Sequence, residues 1–296
     1  MALASLNEDI RSIVRKAGDS VVEVRARRRM PSSGVAWPGE GLVVTALHTV
    51  EEEEGIEIRT VRGESFSAEL AGRDPSTGIA LLRALPAKTA SFAIPAWGDT
   101  AKLEPGEVLV LLASSSHGHR VSLTTASVVS GEWTTDQGGN VDRYLETDSR
   151  LFPGYSGSLL LTADGRAIAL NNAGLRRRTP LAIPVETLRR VVDKLLQHGE
   201  VRRGFLGITT YPIRLPDSVK SQRAGLLVLS VAGESPAERA GLFLGDVLLA
   251  VDGRSVDSPG ALFALLGEER IGKTVEARVL RTGKEQSVAL VVGSRS

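Results

Sequence analysis

Short runs of valine, isoleucine and leucine recur at close intervals through the first two thirds of this chain, with turn residues between them. Val21 to Val24, Leu42 to Thr45, Ile56 to Val61, Ile79 to Leu82, Val108 to Leu112, Val121 to Val129 and Ala167 to Leu170 are such runs. Gly63, Asp74-Pro75, Pro105-Gly106, Gly138-Gly139 and Asp164-Gly165 punctuate them. β-Branched residues suit a pleated surface, while glycine, proline and aspartate supply tight turns. The spacing therefore predicts an all-β sandwich or barrel, not βαβ units.

At Pro184 the period changes. Val185, Leu188, Val191, Val192, Leu195 and Leu196 form one apolar stripe, with Arg189, Arg190, Asp193 and Lys194 off it, which predicts a helix that Gly199 stops. A new set of elements begins at Gly204. Val228 to Val231, Val247 to Val251, Val275 to Leu280 and Val288 to Val292 read as strands, with Asp252-Gly253 and Thr282-Gly283 as turns. Ser235-Pro236 with Gly241, and Ser258-Pro259 with Gly267, bracket two short helices. Near the start, Ile10, Ile13 and Val14 share a helix face that Gly18 ends. The expected layout is an N-terminal helical segment 1–18, a β domain with its connecting helix over 19–199, and a small α+β domain over 200–296. A length of 296 residues suits two cores.

Composition removes several classes of function. Lys plus Arg number 36 against 35 Asp plus Glu, so no global field draws the chain to nucleic acid or anionic lipid. The absence of cysteine removes disulfides, Cys-zinc sites and thiol nucleophiles, while leaving the redox compartment open. Asn7, Glu8, Asp9, Arg11, Arg15 and Lys16 interrupt the first residues, which contain no apolar run fit for a signal peptide or membrane span. No membrane insertion is expected of these residues.

Three stretches carry chemistry. Val43-Val44-Thr45-Ala46-Leu47-His48-Thr49-Val50 ends a strand with a histidine. Glu146-Thr147-Asp148 precedes Pro153-Gly154-Tyr155-Ser156-Gly157-Ser158, a serine in a Gly-rich loop. Histidine before serine, across two β-rich halves, is one of the chain orders in which Ser-His-Asp chemistry occurs. From about Asp19 onward the chain resembles the HtrA/Deg family, whose patterns appear in sequence: Thr-x-x-His-x-Val, Asp-x-x-Thr-(Asp)-x-Ala, Thr-Asp and Pro-Gly-x-Ser-Gly. Leu181-Ala182-Ile183-Pro184-Val185 and Val201-Arg202-Arg203-Gly204-Phe205-Leu206-Gly207-Ile208 look like that family's junction between protease and PDZ domains. The resemblance implies a trypsin-like double β-barrel followed by a PDZ domain.

Carried over by position, it implies His48 as general base, Ser156 as nucleophile, and the N–H groups of Gly154 and Ser156 as oxyanion hole. A serine hydroxyl needs a base to take its proton, and Gly154 and Gly157 let the backbone turn tightly. The departure is at Asp74-Pro75-Ser76-Thr77-Gly78, where the family's triad Asp falls on Gly78. Without a carboxylate, nothing evident in the sequence fixes the His48 tautomer. Phe152, Tyr155, Ser158 and Leu159 also depart from the family's usual residues around the serine. Two readings follow. One is a pseudoprotease that binds unfolded or C-terminal peptide segments, with proteolysis absent or strongly weakened. The other is a slow endopeptidase using His48 and Ser156, or an acid from elsewhere such as Asp74. Gly78→Asp would raise activity if the carboxylate alone is limiting, and would do nothing if Tyr155 and its neighbours have closed the oxyanion hole.

Phe205-Leu206-Gly207-Ile208 looks like a PDZ carboxylate-binding loop, beside a strand that accepts an extended peptide and a helix beginning near Pro259. The expected partner is a polypeptide substrate or C-terminal peptide. The family resemblance further implies an extracytoplasmic setting, a part in protein quality control, and a homo-oligomer, commonly a trimer. Sequence leaves the assembly open.

Other motifs have plainer readings. Gly267 to Thr274 meets the Walker A spacing, but a helix precedes it and a strand follows, the reverse of what phosphate binding needs. His117-Gly118-His119 lacks a third ligand, so no metal site or cofactor is expected. Arg176-Arg177-Arg178 and Glu51 to Glu54 read as solvated charge runs.

Overall fold

The computed structural model describes residues 2–295 apart from 29, 89, 91, 136–138, 151, 177–178, 202 and 217–221. Gly138, Arg177, Arg178 and Arg202, which the sequence reading used, lie outside the described residues. The chain divides into two compact units, Met1–Trp133 with Val141–Glu200, and Val201–Ser296 with Thr134–Asn140.

The first unit opens with helix α1 (Ala2–Ala17), then strands β1 (Val21–Arg25), β2 (Ser32–Ala36), β3 (Leu42–Ala46), β4 (Ile56–Arg59), β5 (Ser65–Asp74) and β6 (Ile79–Leu85). These close into a barrel in the order β1-β2-β3-β6-β5-β4. Val22, Val24, Val43, Ile56, Ile58 and Leu82 fill it, every second residue of a strand pointing inward. The next strands are β7 (Val108–Ser115), β8 (Gly118–Val129), a short ribbon of β9 (Trp133–Thr134) and β10 (Asn140–Val141), then β11 (Leu145–Thr147), β12 (Leu159–Leu161), β13 (Ala167–Asn172) and β14 (Leu181–Pro184). A second closed barrel runs β11-β14-β13-β12-β7-β8, filled by Leu109, Leu111, Leu145, Leu160 and Ala169.

Strands β3 and β7 are buried along nearly their whole length. Both faces of each are covered, which is why they read as unbroken apolar runs rather than alternating ones. Strands β2 and β5 were not legible. β2 is Ser-Ser-Gly-Val-Ala, wholly buried although half of it is small and polar, and β5 is mostly solvent-facing with a register shift between Leu70 and Gly72.

Helix α2 (Val185–His198) buries Val185, Leu188, Val191, Val192 and Leu195 as its stripe predicts. Leu196, read as part of that stripe, is exposed, so the apolar face is narrower than expected. Gly199 ends the helix in the left-handed region at φ 72°, its N–H bonding to the Leu195 carbonyl.

The second unit contains β15 (Arg203–Phe205), β16 (Ile208–Arg214), β17 (Ala224–Val231), α3 (Pro236–Arg239), β18 (Val247–Val251), β19 (Arg254–Ser255), α4 (Pro259–Leu265), β20 (Thr274–Arg281), β21 (Lys284–Val291) and β22 (Gly293–Arg295). The main sheet runs β16-β17-β18-β20-β21, with β19 paired to β18. Leu206, Leu226, Leu248, Val275, Val279 and Leu290 form its core. Both short helices start as their sequences predict. Ser235 Oγ accepts from Glu238 N and Ser258 Oγ from Ala261 N, each followed by proline in the first turn. Such caps contribute about 1 kcal/mol apiece. The Walker-like segment runs into β20 with no helix after it. Among the described residues no helix is long and apolar enough to cross a membrane, and no cluster of His, Asp or Glu could hold a metal ion.

Candidate active site

Strand β3 ends at Ala46 and the chain turns through a one-turn 3-10 helix, Leu47–Thr49, that carries His48. Thr49 Oγ1 donates to the Ala46 carbonyl at 2.7 Å, and Leu47 N–H donates to the Gly78 carbonyl at 2.8 Å. These bonds stop the strand and present the imidazole at the barrel rim. From the second barrel, the loop before β12 brings Ser156, 7% exposed, so that its Oγ lies 3.0 Å from His48 Nε2. Ala173 N–H donates to the same Oγ at 3.4 Å. With one donor already directed at Oγ, the serine proton is the one free to point at Nε2.

Ser33, on β2 and fully buried, holds the serine loop. Its N–H donates to the Ser156 carbonyl at 3.0 Å and its Oγ donates to the Gly154 carbonyl at 2.9 Å. The same Oγ accepts from Ser114 N–H on β7 at 3.0 Å, while Thr45 Oγ1 on β3 donates to the Ser33 carbonyl at 2.7 Å. Arg120 Nη1 donates to the Pro153 carbonyl at 3.1 Å. Among the described residues, neither Gly154 N–H nor Ser156 N–H has an internal acceptor, so both donors remain for a ligand. Tyr155 is buried, its hydroxyl 3.3 Å from Ser122 Oγ.

Gly78, the residue that the sequence pattern aligns with the acid, lies in the left-handed region at φ 68°. Among the described residues, no carboxylate is hydrogen-bonded to the imidazole. Asp74 is 1% exposed, and its oxygens accept from Ser76 N–H at 3.0 Å, from Ser76 Oγ, and from Thr77 Oγ1 at 2.6 Å. It is bound within its own turn. Asp148 accepts from Thr124 Oγ1 and Thr125 N–H, which hold its pKa below the ordinary carboxylate value. Among the described residues no Asp or Glu oxygen is hydrogen-bonded to His48. Besides Ser156 Oγ, the neighbouring side chain that acts on the imidazole is Asn172, at the end of β13, which favours the protonated ring. Sequence reasoning missed both Ser33 and Asn172. The available signal was the pair Asn171-Asn172 closing a strand, the second of them bonded to Gly78.

The pKa of His48 is lowered from 6.5, first by burial of the ring and then by the positive charge of Arg27. The Asn172 contact and Glu51 oppose the shift. The residue as a whole is nonetheless exposed at the barrel rim, which limits the effect of burial. Only neutral imidazole can accept the serine proton, so a lowered pKa keeps the base available as pH falls. The acid limb of Ser156 labelling by a serine-directed phosphonate is therefore expected below pH 6.5, the ordinary histidine value. Labelling rates measured across about pH 4 to 8 check this, and a limb above that value contradicts it.

The second unit carries the candidate carboxylate loop, residues 205–208. Gly207 adopts φ 83° between buried Leu206 and strand β16, where an added Cβ would overlap Ser235 Cβ. Gly207 and Leu206 use their carbonyls to bind Ala232 N–H and Ala237 N–H. Their own N–H groups have no acceptor among the described residues. Phe205 ends β15 and Ile208 opens β16, which among the described residues lies at the end of the sheet order beside β17. Backbone donors beside an open strand edge suit an extended chain with a terminal carboxylate.

Residues 32–170 match the trypsin-like peptidase domain and residues 204–292 the PDZ domain. A probable periplasmic DegP-like serine endoprotease of Marinomonas sp. (strain MWYL1) is 31% identical over 286 residues, covering 94% of this chain and 60% of that protein. A protein of the same designation from Halomonas elongata is 32% identical, covering 90% of this chain and 57% of its own length. The chain thus spans less than two thirds of these curated relatives. Among solved structures, the HtrA-type protease AlgW with a decapeptide aligns at TM-score 0.74 with 22% identity, covering 97% of this chain and 99% of that one. The serine endoprotease from Yersinia pestis aligns at TM-score 0.74 with 24% identity, covering 97% and 98%. Two closed barrels followed in sequence by a PDZ domain, with similarity to DegP-like serine endoproteases along nearly the whole chain, make the domain arrangement HtrA-like.

Proposed function

We propose that the protein binds polypeptide segments and hydrolyses peptide bonds slowly at Ser156, with proteolysis strongly weakened relative to a complete triad. The observation that carries this reading is the Ser156–His48 pair at 3.0 Å with no carboxylate hydrogen-bonded to the imidazole among the described residues. In the acylation step Ser156 Oγ bonds to the substrate carbonyl carbon, its proton passes to His48 Nε2, and the C=O π pair moves onto oxygen, where Gly154 and Ser156 N–H groups receive it. Collapse breaks the C–N bond, and the proton on Nε2 goes to the leaving amine. Water repeats the sequence on the acyl-enzyme and releases the acid. Each passage forms an imidazolium, and without an anion behind it that ion is poorly stabilised. In a trypsin-like enzyme, changing the triad Asp to Asn lowers kcat about 10⁴-fold. That corresponds to about 5 kcal/mol of transition-state stabilisation.

The PDZ domain supplies the second contact, a C-terminal peptide held by Leu206 and Gly207 N–H groups and added as a strand along β16, with α4 beside it. Tight binding and slow cleavage suit a role in handling unfolded protein. The periplasmic designation of the DegP-like relatives supports an extracytoplasmic setting.

A fluorophosphonate probe is expected to label the parent slowly and Ser156→Ala not at all, with casein cleavage following the same order. Equal labelling of the two, or none in the parent, would remove the hydrolytic half of the proposal and leave a binding protein.

A further inference from the structure

Asn172 is fully buried, and its amide has two backbone partners of opposite kind. Nδ2 donates to the Gly78 carbonyl at 2.8 Å, and Oδ1 accepts from Gly174 N–H at 2.9 Å. A carbonyl only accepts and a backbone N–H only donates, so these bonds establish which end of the amide is oxygen. Gly174 also lies directly against His48: a Cβ added there would overlap His48 Nδ1. Oδ1 and Nδ1 therefore flank the same glycine. Since Nε2 faces Ser156 Oγ, Nδ1 is the ring nitrogen left for Asn172.

We infer that Asn172 is the positioning residue of a Ser156-His48-Asn172 relay, its amide oxygen accepting from His48 Nδ1–H in place of the acid absent at Gly78. The inference rests on the reading of Ser156 as nucleophile. An amide in the acid's own place fails because its N–H₂ end can face the ring and select the wrong tautomer. Here the N–H₂ end is held by Gly78, so only oxygen is offered, and the proton sits on Nδ1 with the Nε2 lone pair toward serine. Gly78 and Asn172 form a matched pair, because a Cβ at Gly78 would stand 2.7 Å from Asn172 Nδ2. The empty position at Gly78 is what accommodates the amide. A neutral oxygen orients the ring but adds no negative charge, which restores the tautomer and not the full rate.

The test reads the ring itself in the full chain labelled with ¹⁵N. His48 of the parent should show the Nδ1–H tautomer at neutral pH. Asn172→Ala should lose that preference and label with fluorophosphonate about 10- to 100-fold more slowly, the size expected when a base loses its orienting partner. Asn172→Asp, which keeps an oxygen there and covers the case in which the alanine variant does not fold, should raise the His48 pKa by about 1 unit or more and move the acid limb of labelling upward with it. An unchanged tautomer in Asn172→Ala, or an unmoved His48 pKa in Asn172→Asp, would overturn the inference. Failure of the Ser156 reading looks different: the parent would not label, while the tautomer and pKa would still respond at position 172.

Discussion

Gly78→Asp alone is expected to leave peptide hydrolysis no faster than in the parent, whereas Gly78→Asp combined with Asn172→Ala should raise it by about 10²- to 10⁴-fold. The sequence suggested that restoring the acid would be sufficient unless the oxyanion loop were closed. The structure supplies a separate obstacle. A Cβ at Gly78 meets Asn172 Nδ2 at 2.7 Å, and the amide cannot step aside without giving up its bonds to Gly78 and Gly174. The φ of 68° adds backbone strain for any residue with a side chain. Together these should cost the single variant about 1 to 3 kcal/mol of stability. Removing the amide in the same molecule opens room for a carboxylate beside Nδ1, which both fixes the tautomer and stabilises the imidazolium. Turnover of a fluorogenic peptide, with Ser156→Ala in each background, measures the effect. A single Gly78→Asp change that accelerates hydrolysis would show that the amide does not hold its place.

Replacing Gly157 by alanine should be the most damaging single substitution at this site. The residue has φ 83°, and its added Cβ would overlap the Ser33 carbonyl oxygen and stand 2.7 Å from Thr45 Oγ1. Neither neighbour is free to yield. Ser33 is bonded to Ser156, Gly154 and Ser114, and Thr45 to Ser33, so relief requires parting the loop from β2 or shifting β2 against β3. The loss of stability should exceed about 4 kcal/mol, and fluorophosphonate labelling should fall to the Ser156→Ala level. Denaturant melts and labelling of the same samples test it. A variant with parental stability and labelling would mean that the loop is not clamped by Ser33.

The legible parts of this chain were those set by local rules. Alternating or continuous apolar runs mark β1, β3, β6 and β7 because side-chain sterics and burial act residue by residue along a strand. Ser235, Ser258 and Gly199 mark helix ends because a cap bonds within one turn. His48 and Ser156 were legible for a related reason: each sits in a short motif whose backbone must turn in one way.

What the sequence did not reveal depends on barrel closure. Ser-Ser-Gly-Val-Ala gives little sign of a buried strand, since β2 is stabilised by the loop and strands packed on it rather than by its own side chains. Nor does Asn172 announce itself, 94 residues from the glycine whose carbonyl fixes its amide. The sequence by itself determined the two kinds of domain and singled out His48 and Ser156, whose side chains the fold brings within 3.0 Å of each other. Only the tertiary structure decided what stands behind the base, because the donors and acceptors that orient one amide come from β13, the turn after β5 and the segment after Asn172, and these meet only once both barrels have closed.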